Sequence, residues 1–198
     1  MNTSSASFAE THLASDKANM MIKYGVLALL GTLVMTIAAK IQVPFYPVPV
    51  TLQTLALFTI AAAFGRKLAV VTLLLYLAEG LAGIPVFAGP VAGPTYMAGG
   101  TAGYLAGFVI AAYIVGSAAD KGWSKNPFKM FGAMLVADVV VFALGFAWLA
   151  IVLGKGDLLA GADKAFMFGV QPFVLADLVK IALASSLVAA LWQFFRKA

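Results

Sequence analysis

The sequence predicts an all-α, polytopic membrane protein: a bundle of six transmembrane helices with both ends of the chain in the cytoplasm. Three observations carry this. Of 198 residues, 63% are hydrophobic and 11% charged, whereas a soluble domain averages about half apolar and a quarter charged. The apolar residues gather into runs near the ~20 residues that cross a bilayer. Lys and Arg are divided unevenly among the segments between those runs.

The elements follow in order. Residues 1–19, MNTSSASFAETHLASDKAN, are small and polar and read as a cytoplasmic tail. The alternative for this stretch is a short surface helix with Phe8 and Leu13 facing lipid. Residues 20–198 form the membrane domain. The first span is expected over residues 22–39. The loop KIQVPFYPVPV follows, where Pro44, Pro47 and Pro49 each remove a backbone donor and fix φ, so no helix continues through it. A short second span, residues 51–64, ends at the tight basic turn Gly65-Arg66-Lys67. The third span covers residues 68–84. Then comes PVFAGPVAGPTYMAGGTAG, dense in Gly and Pro. The fourth span is residues 103–119, a polar loop covers 120–129, and the fifth span is 130–153. The loop GKGDLLAGADK leads into a sixth span over 166–195.

Six crossings put both termini on one side. That side holds Lys17, Lys23, Arg66, Lys67, Lys121, Lys125, Lys129, Arg196 and Lys197; the other holds Lys40, Lys155 and Lys164. The positive-inside rule therefore places both termini in the cytoplasm; the expected location of the multi-pass chain is the cell inner (cytoplasmic) membrane. The net charge of +5 follows from this topology and implies no nucleic-acid partner; the bilayer is the partner it implies.

Several chemistries are excluded. The chain has no cysteine and a single histidine, His12 in the tail. There is no thiol nucleophile, no Ser–His pair and no HExxH zinc motif. No GxxxxGK[ST] loop occurs, so this chain carries no ATP site of that type. No enzyme and no cofactor are expected.

What remains are charges inside the spans, each costing ~2.5–3.5 kcal/mol on insertion scales and usually facing a cavity or a partner. Asp177 and Lys180 are three apart and share a helix face. With the helix starting at Pro172 they lie ~7 and ~12 Å along it, in the outward half of the membrane. Either the pair only neutralises itself or one member binds a polar ligand group; the second reading is favoured, because a self-cancelling pair gains nothing over two apolar residues. Asp138 reads as a partner for a polar group on another helix, and Glu79 as an interfacial or helix-end contact. The aromatic residues Phe45, Tyr46, Phe87, Tyr96 and Tyr104 lie in or beside the two Pro/Gly-rich outward loops. Each fits an interfacial belt; together they suggest lids over an apolar pocket with few polar contacts.

VPVTLQTL (48–55), AGIPVFAGPVAGP (82–94), GGTAGYLAGF (99–108) and PFVLADLVK (172–180) resemble, in order, the signatures of the BioY family, the biotin-specific substrate-binding (S) components of energy-coupling factor transporters. The third motif departs slightly, with Gly100 and Ala102 where the family often has Pro and Gly; Gly99, Thr101, Gly103 and Tyr104 match. The resemblance implies a six-helix bundle binding biotin near its outward face, without enzymatic activity. It implies that Asp177 accepts a ureido N–H, that Lys180 donates to the ureido oxygen or the carboxylate, and that Phe45, Tyr46, Phe87 and Tyr96 cover the rings. Thr51 and Gln53 are further polar contacts, and Gly99, Thr101 and Tyr104 complete the expected site. Expected partners are a coupling membrane subunit and two ATPases; the alternative is a stand-alone transporter or homo-oligomer. The Ala-x-x-x-Ala face that related S components present to the coupling subunit is missing in strict form; Ala28-x-x-x-Thr32 is nearest.

Overall fold

A computed structural model describes residues 17–197. Seven α-helices follow one another among these residues: α1 Lys17–Lys40, α2 Gln53–Leu81, α3 Pro94–Met97, α4 Ala102–Asp120, α5 Pro127–Leu153, α6 Leu158–Gly169 and α7 Val174–Lys197. Residues 1–16, most of the expected tail, lie outside the described part. Five helical segments are long and apolar enough to cross a membrane: Met20–Lys40, Gln53–Leu81, Ala102–Asp120, Pro127–Leu153 and Val174–Phe194. Their outward faces are apolar, as with Leu30, Leu33 and Ile37 on α1 and Val179, Leu183 and Leu187 on α7. Exposed apolar faces this continuous suit lipid rather than water.

The second of these segments is not one rod. Gly65 interrupts α2 with φ 75° and ψ 173°, a region that essentially only glycine occupies. The chain doubles back there: Gln53 Nε2 donates to Tyr76 Oη at 3.0 Å, although 23 residues of continuous helix would hold them about 35 Å apart. The two arms, 53–64 and 66–81, form a helical hairpin. Neighbours secure its tip. Asp120 at the end of α4 accepts from the Arg66 backbone N–H at 3.3 Å. Ser124 Oγ donates to the Ala62 carbonyl at 2.9 Å. Gly116 of α4 sits so close that a Cβ there would lie 2.6 Å from the Arg66 backbone. Gly65→Ala is expected to cost ~1–3 kcal/mol through backbone strain, read as a lower unfolding temperature in detergent; an unchanged Tm would contradict the strain.

Three expectations about the helices need correction. The polar stretch after α5 is not a loop but forms α6, and the sixth apolar run is shorter than expected. Asp157 caps α6 by accepting from the Leu159 and Ala160 N–H groups at 2.9 and 3.3 Å, which satisfies donors that a helix start leaves open. Gly161 then lets α6 lie against α5, where a Cβ would come within 1.9 Å of the Ala150 carbonyl. Before Pro172 the chain is biased away from helix, and α7 begins only at Val174. The fifth helix starts earlier than expected, at Pro127, because Asn126 accepts from the Phe128 and Lys129 N–H groups and Pro suits the first helical position.

The first Pro-rich loop is non-helical, as expected. It folds back on itself as a short ribbon of β1 Gln42–Val43 antiparallel to β2 Val50–Thr51, with Gln42 facing Thr51. This returns the chain to the top of α2, beside α7.

Candidate functional site

Asp177 and Lys180 form an ion pair of 2.6 Å, three residues apart on α7 as their spacing requires. They do not stand alone. Thr54, on the first arm of α2, donates to Asp177 Oδ1 at 3.0 Å and accepts from Lys180 Nζ at 3.2 Å. Lys180 also donates to the Thr51 carbonyl at 2.7 Å. All three ammonium hydrogens thus have acceptors within the protein. Asp177 accepts at Oδ1; its Oδ2 has no hydrogen-bond partner among the described residues. Both charged side chains are buried.

A cavity opens over this cluster. Its polar lining is Thr51, Gln53, Thr54, Asp177, Lys180 and Thr101; its apolar lining includes Tyr96, Tyr104, Phe108, Phe142 and Phe173. The free space is about 50 Å³, room for roughly one or two waters, against ~300–1,000 Å³ for small-molecule clefts. A small-molecule ligand needs more room than this; on the loop side the cover is Val48-Pro49 of the first loop and Ala88 and Tyr96 of the second.

Those covers are anchored from behind. Gln53 is enclosed in a chain of hydrogen bonds from Thr51 Oγ1 through Gln53 and Tyr76 to the Val86 carbonyl. Lys40 Nζ reaches the Phe87 and Gly89 carbonyls at 2.7 and 2.8 Å. Phe87 is fully buried between Tyr76, edge-on at 5.4 Å, and Tyr96, stacked at 4.7 Å. Burial raises the Tyr96 phenol above its ordinary value, opposed by hydrogen bonding involving Thr101 and Ala88. On the other wall Tyr104 Oη donates to the Gly169 carbonyl at 2.8 Å. The indole of Trp148 donates to the Gly99 carbonyl at 2.8 Å.

The expected residues thus separate. Asp177, Lys180, Thr51, Gln53, Tyr96, Thr101 and Tyr104 share the cavity. Phe87 lies behind Tyr96 as its support, and Gly99 is held by Trp148. Phe45 and Tyr46 project away, Tyr46 being 88% exposed beside the cis peptide to Pro47. Thr54 was not singled out from the sequence, although it lies inside VPVTLQTL one helical turn after Thr51. Phe142, Phe108 and Phe173 had no signal beyond apolar periodicity. Glu79 accepts from Thr32 at 3.1 Å, a contact between helices. Asp138 was expected to meet a polar group on another helix; instead its Oδ1 is buried without a hydrogen-bond partner among the described residues.

The model of the BioY family matches residues 9–197. The chain belongs to the BioY family. A BioY relative from Pyrococcus horikoshii, described as a probable biotin transporter, is 35% identical over 149 residues, covering 75% of this chain and 83% of the relative. The biotin transporter BioY of Thermotoga maritima is 33% identical over 166 residues, covering 83% of this chain and 90% of that one. A solved structure, the S component for biotin from an ECF-type ABC transporter, superposes with a TM-score of 0.74 over 90% of this chain and 95% of that chain. At 22% identity that likeness concerns the fold. Within this BioY fold, the pair on α7 and the two loops above it occupy the same end of the bundle.

Proposed function

We propose that this protein is the membrane-embedded biotin-binding component of a vitamin uptake system, taking biotin from the outer side and delivering it inward. The observation that carries the reading is the buried Asp177–Lys180–Thr54 cluster opening on an aromatic cavity. Biotin presents a matching set of groups: a ureido ring with two N–H donors and a carbonyl, an apolar thioether ring and a carboxylate. Asp177 Oδ2 is the acceptor left for a ureido N–H. Lys180 gives a ligand oxygen one hydrogen by releasing its longest bond, the 3.2 Å contact to Thr54. A lone anion would leave Asp177 without a counterpart, so a ligand that both donates and accepts fits the pair best. Tyr96, Tyr104, Phe108 and Phe142 then enclose the apolar ring. BioY membership and the biotin descriptions of the relatives support the same ligand.

Purified protein is expected to bind biotin in calorimetric titration and to discriminate against other vitamins. Binding of another vitamin in preference to biotin would overturn the ligand while leaving the fold intact.

The proposed topology is six crossings with both termini in the cytoplasm of the inner membrane, the α2 hairpin supplying two of them. The tip at Gly65 and the 120–129 segment then face inward, and the cavity faces outward. The chain has no cysteine, so single replacements report this directly. Lys155→Cys is expected to react with an impermeant thiol reagent in intact cells. Lys121→Cys is expected to react only once the membrane is opened. Equal labelling of both in intact cells would refute the orientation.

Transport driven by a coupling membrane subunit and two ATPases is the first reading of how biotin crosses. One observation favours a second, in which this chain acts alone or as an oligomer: Ala28 and Thr32 are both buried, and Thr32 turns its hydroxyl to Leu29 and Glu79. The nearest equivalent of the coupling motif is thus not an open docking face. Biotin uptake in cells lacking every coupling and ATPase subunit separates the two readings. In either case this chain supplies binding and passage, with no catalytic step or cofactor of its own.

A further inference from the structure

Asp138 is the third ionisable side chain of this buried region, and binding as described above gives it no task. It is 5% exposed, and its Oδ1 is enclosed without a hydrogen-bond partner among the described residues. It lies mid-way along α5, one turn from Val141 and Phe142, which line the cavity, and on the same helix face as they do. α5 packs against α7, the helix that carries Asp177 and Lys180. The Lys180 ammonium, however, is committed to Asp177, Thr51 and Thr54. With all three groups ionised, two carboxylates face one ammonium. How readily such a carboxylate stays ionised depends on the water and the positive charge that remain near it.

Few other charges bear on it. Of the elements packed against α5, α7 brings Asp177 and Lys180. α4 brings Tyr104, whose hydroxyl is engaged with Gly169. The first arm of α2 carries no ionisable side chain; the second arm's Arg66, Lys67, Tyr76 and Glu79 include Arg66 against Tyr113, Tyr76 against Val86 and Glu79 against Thr32. Asp163 and Lys164 of α6 are exposed, and Lys125 lies over Trp192 near the hairpin tip.

We propose that Asp138 is a proton-binding site coupled to the ligand site, so that binding at Asp177 and Lys180 is accompanied by proton uptake onto Asp138. This rests on the biotin-binding reading. A ligand expels water from the cavity and draws part of the Lys180 charge to its own oxygen. Both changes disfavour an ionised Asp138. The proton comes from bulk water, adds to one carboxylate oxygen to give a neutral carboxyl, and returns to water when the ligand leaves; no other bond changes. Because the protonated form binds better, affinity falls as pH rises, by up to about tenfold per pH unit for one full proton.

The test is biotin titration of wild type, Asp138→Asn and Asp138→Ala from mildly acidic to mildly alkaline pH, in buffers of different ionisation enthalpy. Infrared difference spectra with and without biotin accompany it. Wild type is expected to take up a fraction of a proton per biotin, to lose affinity with rising pH, and to gain a protonated-carboxyl band. Asp138→Asn or Asp138→Ala is expected to bind biotin with no proton exchange at that site, a flatter pH profile and no such band. Wild-type binding without proton exchange at any pH overturns this inference alone, as does unchanged exchange in both variants. Failure of wild type to bind biotin at all overturns both this inference and the function it rests on.

Discussion

Asp177→Ala is expected to weaken biotin binding by at least about 100-fold, or ~2.7 kcal/mol. The variant removes an acceptor whose bonds to charged or donor groups are worth ~1.5–3 kcal/mol each. It also strands the Lys180 ammonium in a buried site with only the Thr51 carbonyl and Thr54 hydroxyl. Breaking a buried pair from one side typically destabilises by ~3–5 kcal/mol, so unfolding temperature falls as well. Lys180→Ala leaves the opposite charge and is expected to behave alike. The double replacement Asp177→Ala with Lys180→Met separates the two effects, since removing both charges restores stability without restoring affinity. Tyr46→Ala, at an exposed position outside the cavity, serves as the control and is expected to change affinity by less than about twofold, within the range of an ordinary surface change. Calorimetric titration together with thermal unfolding gives both readouts. Near wild-type affinity in Asp177→Ala and Lys180→Ala would remove the pair from the site.

Gly80→Ala is expected to have a large effect for a single methyl group near the site. A Cβ there would lie 2.0, 2.1 and 2.7 Å from three atoms of the Phe87 ring. That ring is fully buried, wedged between Tyr76 and Tyr96, and its backbone carbonyl is tied to Lys40. It has no direction of retreat that leaves Tyr96 in place. Overpacking of this kind costs ~1–3 kcal/mol. Tyr96 covers the cavity, so affinity is expected to fall with stability, roughly tenfold for ~1.4 kcal/mol of lost positioning. Gly80→Ala combined with Phe87→Leu removes the clash and is expected to recover stability. Wild-type stability in Gly80→Ala would show that the ring is not held as the distances indicate.

The residues whose placement was legible beforehand share one property: their signal is local. Asp177 and Lys180 are three apart on one helix, and a helix alone puts them on the same face. The proline loop cannot be helical whatever surrounds it. Gly65 with Arg66 and Lys67 marks a turn because glycine tolerates the backbone there and the charges stop the apolar run. Residues whose placement depends on distant chain were not legible. Thr54 reads as one more small polar residue until the hairpin carries it to a helix 123 positions away in sequence. Phe45 and Tyr46 have the composition of a lid, but the β1–β2 ribbon turns the tip of their loop outward and leaves Val48 and Pro49 as the cover. The break before α7 and the short helix α6 were missed because a run of mixed apolar and small residues carries no mark of where it bends, apart from Asp157 and Pro172.

The sequence by itself determined that this protein belongs in a bilayer, which apolar runs supply most of its long helices, and which two charges sit on one helical face. Those properties depend on composition and on a period of 3.6 residues, both local. Only the tertiary structure decided which groups complete the charged cluster, which aromatic rings close over it, and that Asp138 stands near it without a hydrogen-bond partner. These depend on the distances between helices. Those distances are set by where glycine permits contact, as at Gly80, Gly116 and Gly161, and by where a single residue such as Gly65 reverses the chain.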